Sequence, residues 1–358
     1  MKVNFIMPCK PKTPSGGFKV VYEYAKMLSS DGHQVTITYP FLHSFHGVPF
    51  KKGKINELKY RLRFYKDKFF RKITCRSWFD LPQDIKEVLV FKLDSKFIEN
   101  SDIVFATAWS TAEEVAKYSE NKGKKFYLIQ SFEDWGGSKE RVIQTWKGPL
   151  NKIVISEYLK EIAIELGEDA KLIENGLNFK DFYYDKNLKK DENSILMLYH
   201  SNEEVKRSKE AIKEIIKLKE EKGVNIKFSL FGVEKRPNFI PEWIEYYQKP
   251  EVGKLRELYN KAEIFISPSK IEGWPLPVAE ALQCKTMVCV SDIPGHSHIK
   301  HLETGYKVKE LSELTEAIEK LLKDQKLRKK LSENGYEYIE QFTWERAYQK
   351  LKTYIGEK

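Results

Sequence analysis

Short apolar, β-rich runs alternate with longer stretches of helical spacing along this chain. Runs ending near Met7, Thr38, Ala106, Ile129 and Ser156 punctuate the first half, and runs at Ile195–Tyr199, Lys227–Phe231, Ile264–Ser267 and Thr286–Val290 punctuate the second. Most are followed by a helix-like stretch, which is the order of β–α units in a parallel sheet with helices on its faces. A polar stretch from Asn175 to Asn193 separates the two series, after Asn175-Gly176 closes the first. The pattern predicts an α/β protein of two domains with parallel sheets, 1–180 and 181–341. A chain of 358 residues is too long for one ordinary core, and 41% hydrophobic residues are enough for two.

The densest chemistry follows the run Ala262-Glu-Ile-Phe-Ile-Ser267. It reads Pro268-Ser-Lys-Ile-Glu-Gly-Trp-Pro-Leu-Pro-Val-Ala-Glu-Ala-Leu282. Pro277 suits a first helical position, where a missing N–H costs nothing, so Glu272 is expected in the loop and Glu280 in the first helical turn. The loop lies at the carboxyl end of a strand, where open α/β sheets bind ligands. A helix N-terminus attracts anions, yet two carboxylates beside a diphosphate would repel it. Ionised carboxylates are acceptor-only, and hydroxyl-rich rings suit them. One glutamate can hold a ribose and the other a sugar, with phosphates between. Pro275 and Pro277 donate no backbone hydrogen bond, which leaves Gly273, Trp274, Leu276 and Val278 as amide donors to those phosphates. A solvated loop acid and a favourable helix-start acid would also account for either glutamate taken singly.

The string from Glu272 to Glu280 resembles the E-x7-E signature of the retaining family 4 glycosyltransferases, and Pro268-Ser269 before it fits the same pattern. The resemblance is strongest from Gly253 to Gly305 and continues more weakly through the amino half. It implies the GT-B architecture, two facing Rossmann-like domains with a cleft between them. It also implies that Phe342-Thr-Trp-Glu and the helix behind it, 342–358, return to the amino domain. In such enzymes the second glutamate, here Glu280, binds the nucleotide ribose, and the first, here Glu272, contacts the donor sugar near the reacting centre. The implied activity is retaining transfer of a hexosyl or 6-deoxyhexosyl group from a nucleotide-diphosphate sugar to a glycan or lipid-linked acceptor, without a metal or other cofactor.

Several further positions fit or depart from that family. Gly16-Gly17 occupies the first β–α loop, where the family has a glycine-rich loop facing the donor phosphates; a plain tight turn is the alternative. The stretch His200-Ser-Asn-Glu-Glu-Val-Lys-Arg-Ser208 follows a strand at the place where relatives carry a Gly-Arg pair and then a Lys. His200 and Ser201 replace Gly-Arg, so Arg207 is expected to clamp the diphosphate with its forked donors, with Lys206 as substitute and His200 beside the donor. Relatives place a histidine after the fourth strand. Here Ala106-Thr-Ala-Trp-Ser-Thr111 has Trp109 and no histidine, a departure that would suit a 6-deoxy donor such as dTDP-rhamnose. That string and Gln130-Ser-Phe-Glu-Asp-Trp135 look similar to bacterial rhamnosyltransferases, placing Trp109 and Glu133 on the acceptor side. Of the histidines, His33 reads as a turn residue, His43 and His46 lie in the following loop, and His296 and His298 follow Pro294-Gly295 near the expected cleft.

Charge is unevenly spread. The formal net charge is +10, and residues 51–76 hold eleven Lys/Arg against Glu57 and Asp67, so nine of the ten net positive charges are local. Ile55, Leu58, Leu62, Tyr65, Phe69 and Ile73 recur within it at helical spacing. Two readings stand: the helix lies on an anionic membrane, or its stripe packs on the amino domain with the cations solvated. Tyr60, Phe64 and Phe70 among the cations would also suit a nucleic-acid binder, a rival that explains neither glutamate. No nucleic-acid partner is therefore expected, and a GT-B nucleotide-sugar epimerase is the enzyme alternative. Met1 leads straight into a strand, and no apolar run approaches the roughly 20 residues of a membrane span. The expected location is the cytoplasm, peripheral to the inner face of the plasma membrane. Cys9, Cys75, Cys284 and Cys289 show neither C-x-x-C nor metal-ligand spacing, which predicts reduced thiols without zinc.

Overall fold

The structure, a computed structural model, describes residues 1–10, 15–42, 54–69, 79–134, 137–201 and 203–356. The chain divides into two compact units, Met1–Glu174 with Ala347–Lys358, and Asn175–Arg346. His43, His46, Ile73, Cys75 and Trp135 lie outside the described residues.

The first unit runs β1 (Lys2–Ile6), α1 (Gly16–Ser30), β2 (Gln34–Pro40), α2 (Lys54–Phe69), β3 (Lys86–Val90), β4 (Ile103–Ala106), α3 (Trp109–Ala116), β5 (Lys124–Ile129), α4 (Lys139–Trp146), β6 (Asn151–Val154), α5 (Glu157–Glu165) and β7 (Ala170–Leu172). Its seven strands pair in parallel in the order β3-β2-β1-β4-β5-β6-β7. Val3 sits opposite Val35 on one side and Ile103 on the other, and Phe5 stacks on Phe105 at 4.8 Å. The inner strands are apolar at successive positions because helices cover both faces, so neither side of the pleat meets water.

The second unit contains β8 (Ser194–Leu198), α6 (Glu203–Lys206), α7 (Ser208–Glu220), β9 (Lys227–Gly232), β10 (Glu245–Gln248), α8 (Val252–Lys261), β11 (Ile264–Ser267), α9 (Leu276–Gln283), β12 (Met287–Ser291), β13 (Tyr306–Val308), α10 (Leu314–Lys323) and α11 (Gln325–Ile339). These six strands are also parallel, in the order β10-β9-β8-β11-β12-β13. Ala211, Ile212, Ile215 and Leu218 form the buried stripe of α7 and join Ile195, Met197, Ile264 and Ile266 of the sheet in one core. The stripe recurs at three- and four-residue spacing, which is what seats a helix on a sheet.

Two passages of chain meet at the unit boundary. The Leu177 N–H donates to the Phe342 carbonyl at 3.0 Å, beside Gly176. A Cβ on Gly176 would lie 2.3 Å from the Trp344 Cα. Only glycine lets the two backbones approach so closely. From there α12 (Trp344–Ile355) carries the chain into the first unit, where Tyr348 and Lys352 both bond Asp31.

Candidate active site

Each sheet reverses its strand order once, between β1 and β4 in the first unit and between β8 and β11 in the second. At such a point the connections leave to opposite sides, and a crevice opens beyond the carboxyl ends of the two strands. The sequence-derived candidates collect there. Gly16 and Gly17 follow β1 and Trp109 follows β4, with Glu133 after the adjacent β5; His200, Lys206 and Arg207 follow β8, and Glu272 follows β11.

In the second unit a small pocket is lined by residues of both loops, among them His200, Lys206, Ser269, Glu272, Pro275 and Pro277. Lys206 Nζ donates to Glu272 Oε1 at 2.6 Å, with the two side chains 27% and 15% exposed. The Lys270 N–H donates to the Val205 carbonyl at 2.8 Å and stitches the two loops together. Both partners keep capacity. Glu272 has a second oxygen and Lys206 two more N–H donors, so the pair can take a hydroxyl donor and an anionic acceptor side by side.

Three sequence expectations change here. Lys206, not Arg207, faces Glu272. Arg207 adopts a left-handed backbone at φ 51° and turns its Nε to Glu210 at 3.0 Å, because α6 must end before α7 begins and this residue makes the turn. Helix α9 starts at Leu276, with Pro275 as its N-cap, so Pro277 takes the second position and Glu280 falls in the second turn. The Val278 N–H is already used, donating to the Pro275 carbonyl at 3.1 Å. Gly273, Trp274 and Leu276 remain as amide candidates. The His200 N–H is also engaged, by the Ser208 hydroxyl at 3.0 Å, so a donor contact from this residue falls to its ring.

Glu280 is oriented by Tyr259 of α8, whose hydroxyl donates to Oε2 at 3.2 Å. Burial first, and the Glu280 carboxylate second, push the Tyr259 phenol well above its ordinary range. It therefore stays protonated and able to donate.

Behind Glu272 runs the one-turn helix Pro294–His296. A Cβ on Gly295 would stand 2.1 Å from the Glu272 carbonyl oxygen and 2.8 Å from its Cβ. His296 Nδ1 lies 2.8 Å from the Ser291 carbonyl, which can only accept, so Nδ1 carries the proton and Nε2 accepts from the Ser267 hydroxyl at 3.3 Å. Burial pushes His296 down to about 4 and His298 down to about 3, keeping both neutral. The His298 ring stacks on Trp274 at 4.6 Å, and Trp274 packs on Phe342 at 5.0 Å. Trp274 thus serves as a wedge under its loop. Cys284 and Cys289 are buried thiols that burial pushes up to about 12.

In the first unit Glu133 takes a left-handed backbone at φ 61° and is 9% exposed. Its Oε2 accepts from the Trp109 N–H at 2.8 Å, at the start of α3. A carboxylate is favoured at a helix N-terminus, but burial is the larger influence and raises Glu133 to about 7. The Trp109 ring is buried under the Arg141 guanidinium, 4.8 Å from the ring centre. Gly17 accepts from Gln130 Nε2 at 3.0 Å, and a Cβ there would meet Gln130 at an ordinary 3.5 Å. Internal packing alone does not require glycine at this position.

The folded pKa of Glu133 lies above that of an exposed carboxyl. Its contribution to stability is full below about pH 4.5 and is lost as pH rises through 7. Glu133→Gln keeps an oxygen for the Trp109 N–H and removes the charge. The expected result is a stability gain of about 2–3 kcal/mol at pH 8 and little change at pH 5, read from denaturant unfolding at both pH values. An equal effect at the two would contradict it.

Gly295, Tyr259 and Gln130 were not singled out from the sequence. A glycine after Pro294 is visible there, but its close approach to Glu272 is a tertiary fact, and Tyr259 reads as one more apolar position of a helix.

Residues 179–338 match the family model for glycosyl transferases group 1. The chain carries a group 1 glycosyl transferase domain, and the protein is a glycosyltransferase. It is 25% identical over 317 residues to the capsular polysaccharide biosynthesis glycosyltransferase CapM of Staphylococcus aureus, covering 78% of this chain and 82% of that one. A shorter match, 37% over 84 residues and 22% of each chain, is to the N,N'-diacetylbacillosaminyl-diphospho-undecaprenol alpha-1,3-N-acetylgalactosaminyltransferase of Campylobacter jejuni. Among solved structures, HepE of Anabaena in complex with UDP and glucose superposes with a TM-score of 0.73 at 12% identity over 99% of each chain. At that identity the likeness carries the fold, which is GT-B. No helix among the described residues is long and apolar enough to cross a membrane.

Proposed function

We propose that the protein is a retaining, metal-independent glycosyltransferase of family 4 that moves a hexosyl or 6-deoxyhexosyl group from a nucleotide-diphosphate sugar to a glycan or lipid-linked acceptor. Its setting is cell-surface polysaccharide synthesis, at the cytoplasmic side of the membrane. The observation that carries the reading is the Lys206–Glu272 pair at 2.6 Å, a cation and an acid held together where the second sheet reverses its order. Supporting it are the names of the relatives, which act in capsule synthesis and on a diphospho-undecaprenol-linked substrate.

In this reading the donor binds the second unit. Glu272 accepts from a sugar hydroxyl through its second oxygen, and its charge favours positive charge developing at the anomeric carbon. Lys206 and the Gly273, Trp274 and Leu276 amides take the diphosphate, while Glu280 accepts from the ribose. The anomeric C–O bond to the diphosphate breaks, the acceptor oxygen attacks from the same face, and its proton passes to the departing phosphate oxygen. Trp109 and Glu133 are assigned to the acceptor side, and Gly16 and Gly17 to the donor phosphates.

A thermal-shift screen against UDP-, GDP- and dTDP-sugars is expected to single out one nucleotide class, because selective ligands stabilise the fold by mass action; a ligand at 100 times its Kd adds about 2.7 kcal/mol. The selected donor, incubated with a lipid-diphosphate-linked acceptor, should give a new glycosidic bond of unchanged anomeric configuration, with and without EDTA. An altered free sugar and no glycoside would indicate an epimerase instead.

A further inference from the structure

Behind the Tyr259–Glu280 pair sits a lysine that takes no part in the proposed chemistry. Lys190 belongs to the polar stretch before β8, and its ammonium reaches three oxygens: Thr286 Oγ1 at 2.9 Å, the Tyr259 carbonyl at 3.3 Å and the Cys284 carbonyl at 3.4 Å. All three residues are fully buried. The two carbonyls lie at the C-terminal ends of α8 and α9, where a helix leaves carbonyls without an N–H four residues on. The Glu263 N–H that would serve Tyr259 donates to Ser194 instead. The Thr286 hydroxyl also donates to the Tyr259 carbonyl, so the lysine and the threonine complete the end of α8 together. A cation is favoured at helix C-termini, and the three N–H donors of an ammonium match the three acceptors.

Both carbonyls lead to Glu280. Tyr259, held through its backbone by Lys190, orients the Glu280 carboxylate through its hydroxyl at 3.2 Å. Cys284 stands one turn beyond Glu280, and its N–H donates to the Glu280 carbonyl at 3.3 Å. The side chain of Glu280 is thus tied to α8 and its backbone to the end of α9, and one ammonium spans the two ends. Without it, nothing in this trio of contacts fixes one helix end against the other.

We propose that Lys190 is a positioning residue for donor binding: by joining the ends of α8 and α9 it holds the Tyr259 hydroxyl against Glu280 and so sets the affinity for the donor ribose. The proposal rests on the reading of Glu280 as the ribose ligand. It carries a pH signature. Burial, offset in part by Cys284 and Glu263, brings the Lys190 ammonium down to about 7. Around it, Glu263 is paired with Arg328 at 2.7 Å, Cys284 and Tyr259 are pushed up by burial and stay protonated, and Glu280 takes the Tyr259 hydroxyl. Lys190 is therefore charged below pH 7. Above it the neutral amine has two N–H donors for three oxygens, so the hold is full at low pH and weakens as pH rises through 7.

Donor affinity is measured by calorimetric titration of the full chain with UDP-glucose, GDP-mannose and dTDP-glucose, without acceptor. Lys190→Met should raise the Kd of the donor that binds by about tenfold and leave kcat within about twofold. Added to Glu280→Gln it should weaken binding by less than about twofold more, because both act through one carboxylate. In the parent the Kd should rise several-fold from pH 6 to pH 9. Lys190→Arg, whose guanidinium stays charged, should bind as the parent does at pH 6 and keep that affinity at pH 9; this comparison decides even where Lys190→Met does not fold. A lysine that only capped the helices would lower the melting temperature of Lys190→Met and leave the donor Kd, its pH dependence and its coupling to Glu280 unmoved, and that result would overturn the proposal. Should none of the three donors bind, denaturant unfolding decides. The midpoint losses of Lys190→Met and Glu280→Gln should fall short of adding in the double variant, and full additivity would overturn the proposal. Losses that fall short of adding, with no donor bound, would keep Lys190 as the hold on Glu280 and remove the donor-site reading.

Discussion

Glu272→Gln is expected to lower kcat by about 10²–10³-fold and to leave the fold intact, whereas Glu280→Gln should raise the donor KM by about 10–100-fold with a smaller effect on kcat. The two acids differ in surroundings. Glu272 lines the pocket and holds Lys206 at 2.6 Å; in the proposed reaction its charge would act on a sugar that becomes electron-deficient only as the bond to phosphate breaks. Glutamine keeps the shape, loses that charge and releases Lys206. Glu280 is fixed by the Tyr259 hydroxyl on the second turn of α9. Its contact with a ribose would be equal in ground and transition states, which affects affinity and not turnover. Initial-rate kinetics over a range of donor concentration separates the two. Small, equal effects would overturn the assignment of both.

How much of this could be read from the sequence depended on how completely a segment is buried. The nine strands expected from apolar runs all occur, with ends shifted by one or two residues. The four that were not expected are β3, β7, β10 and β13, and these are the edge strands of the two sheets. Their sequences, Lys86-Glu-Val-Leu-Val90, Ala170-Lys-Leu172, Glu245-Tyr-Tyr-Gln248 and Tyr306-Lys-Val308, are short or carry charge. An edge strand has one neighbour and partial cover, so polar side chains are tolerated and guard against further pairing. The continuous apolar signal fades for that physical reason.

The site followed a similar rule. Loop positions after β8 and β11 are legible because strand ends and prolines fix them, so Glu272 and the Lys206-Arg207 pair could be placed in those loops. Their partners were not legible. Whether Lys206 or Arg207 faces the pocket depends on a single left-handed residue between α6 and α7. Helix α9 begins one residue earlier than Pro277 implied, which moves Glu280 into the next turn and occupies the Val278 amide.

Gly295→Ala tests the support beneath Glu272. The added methyl would lie 2.1 Å from the Glu272 carbonyl oxygen and 2.7 Å from its carbonyl carbon. Both are backbone atoms, so no rotamer change relieves the overlap and the loop must move by roughly 1 Å. A misplacement of that size costs about 10²-fold when a group must meet a reacting centre, and overpacking costs about 1–3 kcal/mol of stability. The expected result is a kcat lower by about 10²-fold, with the donor KM changed only a few-fold. A merely structural role would also lower the melting temperature, so the deciding measurement is the double variant. If Gly295 acts by positioning Glu272, Gly295→Ala should add little to the loss already caused by Glu272→Gln, because both remove the same interaction. Losses that multiply would show that the glycine serves the fold in general and not this carboxylate.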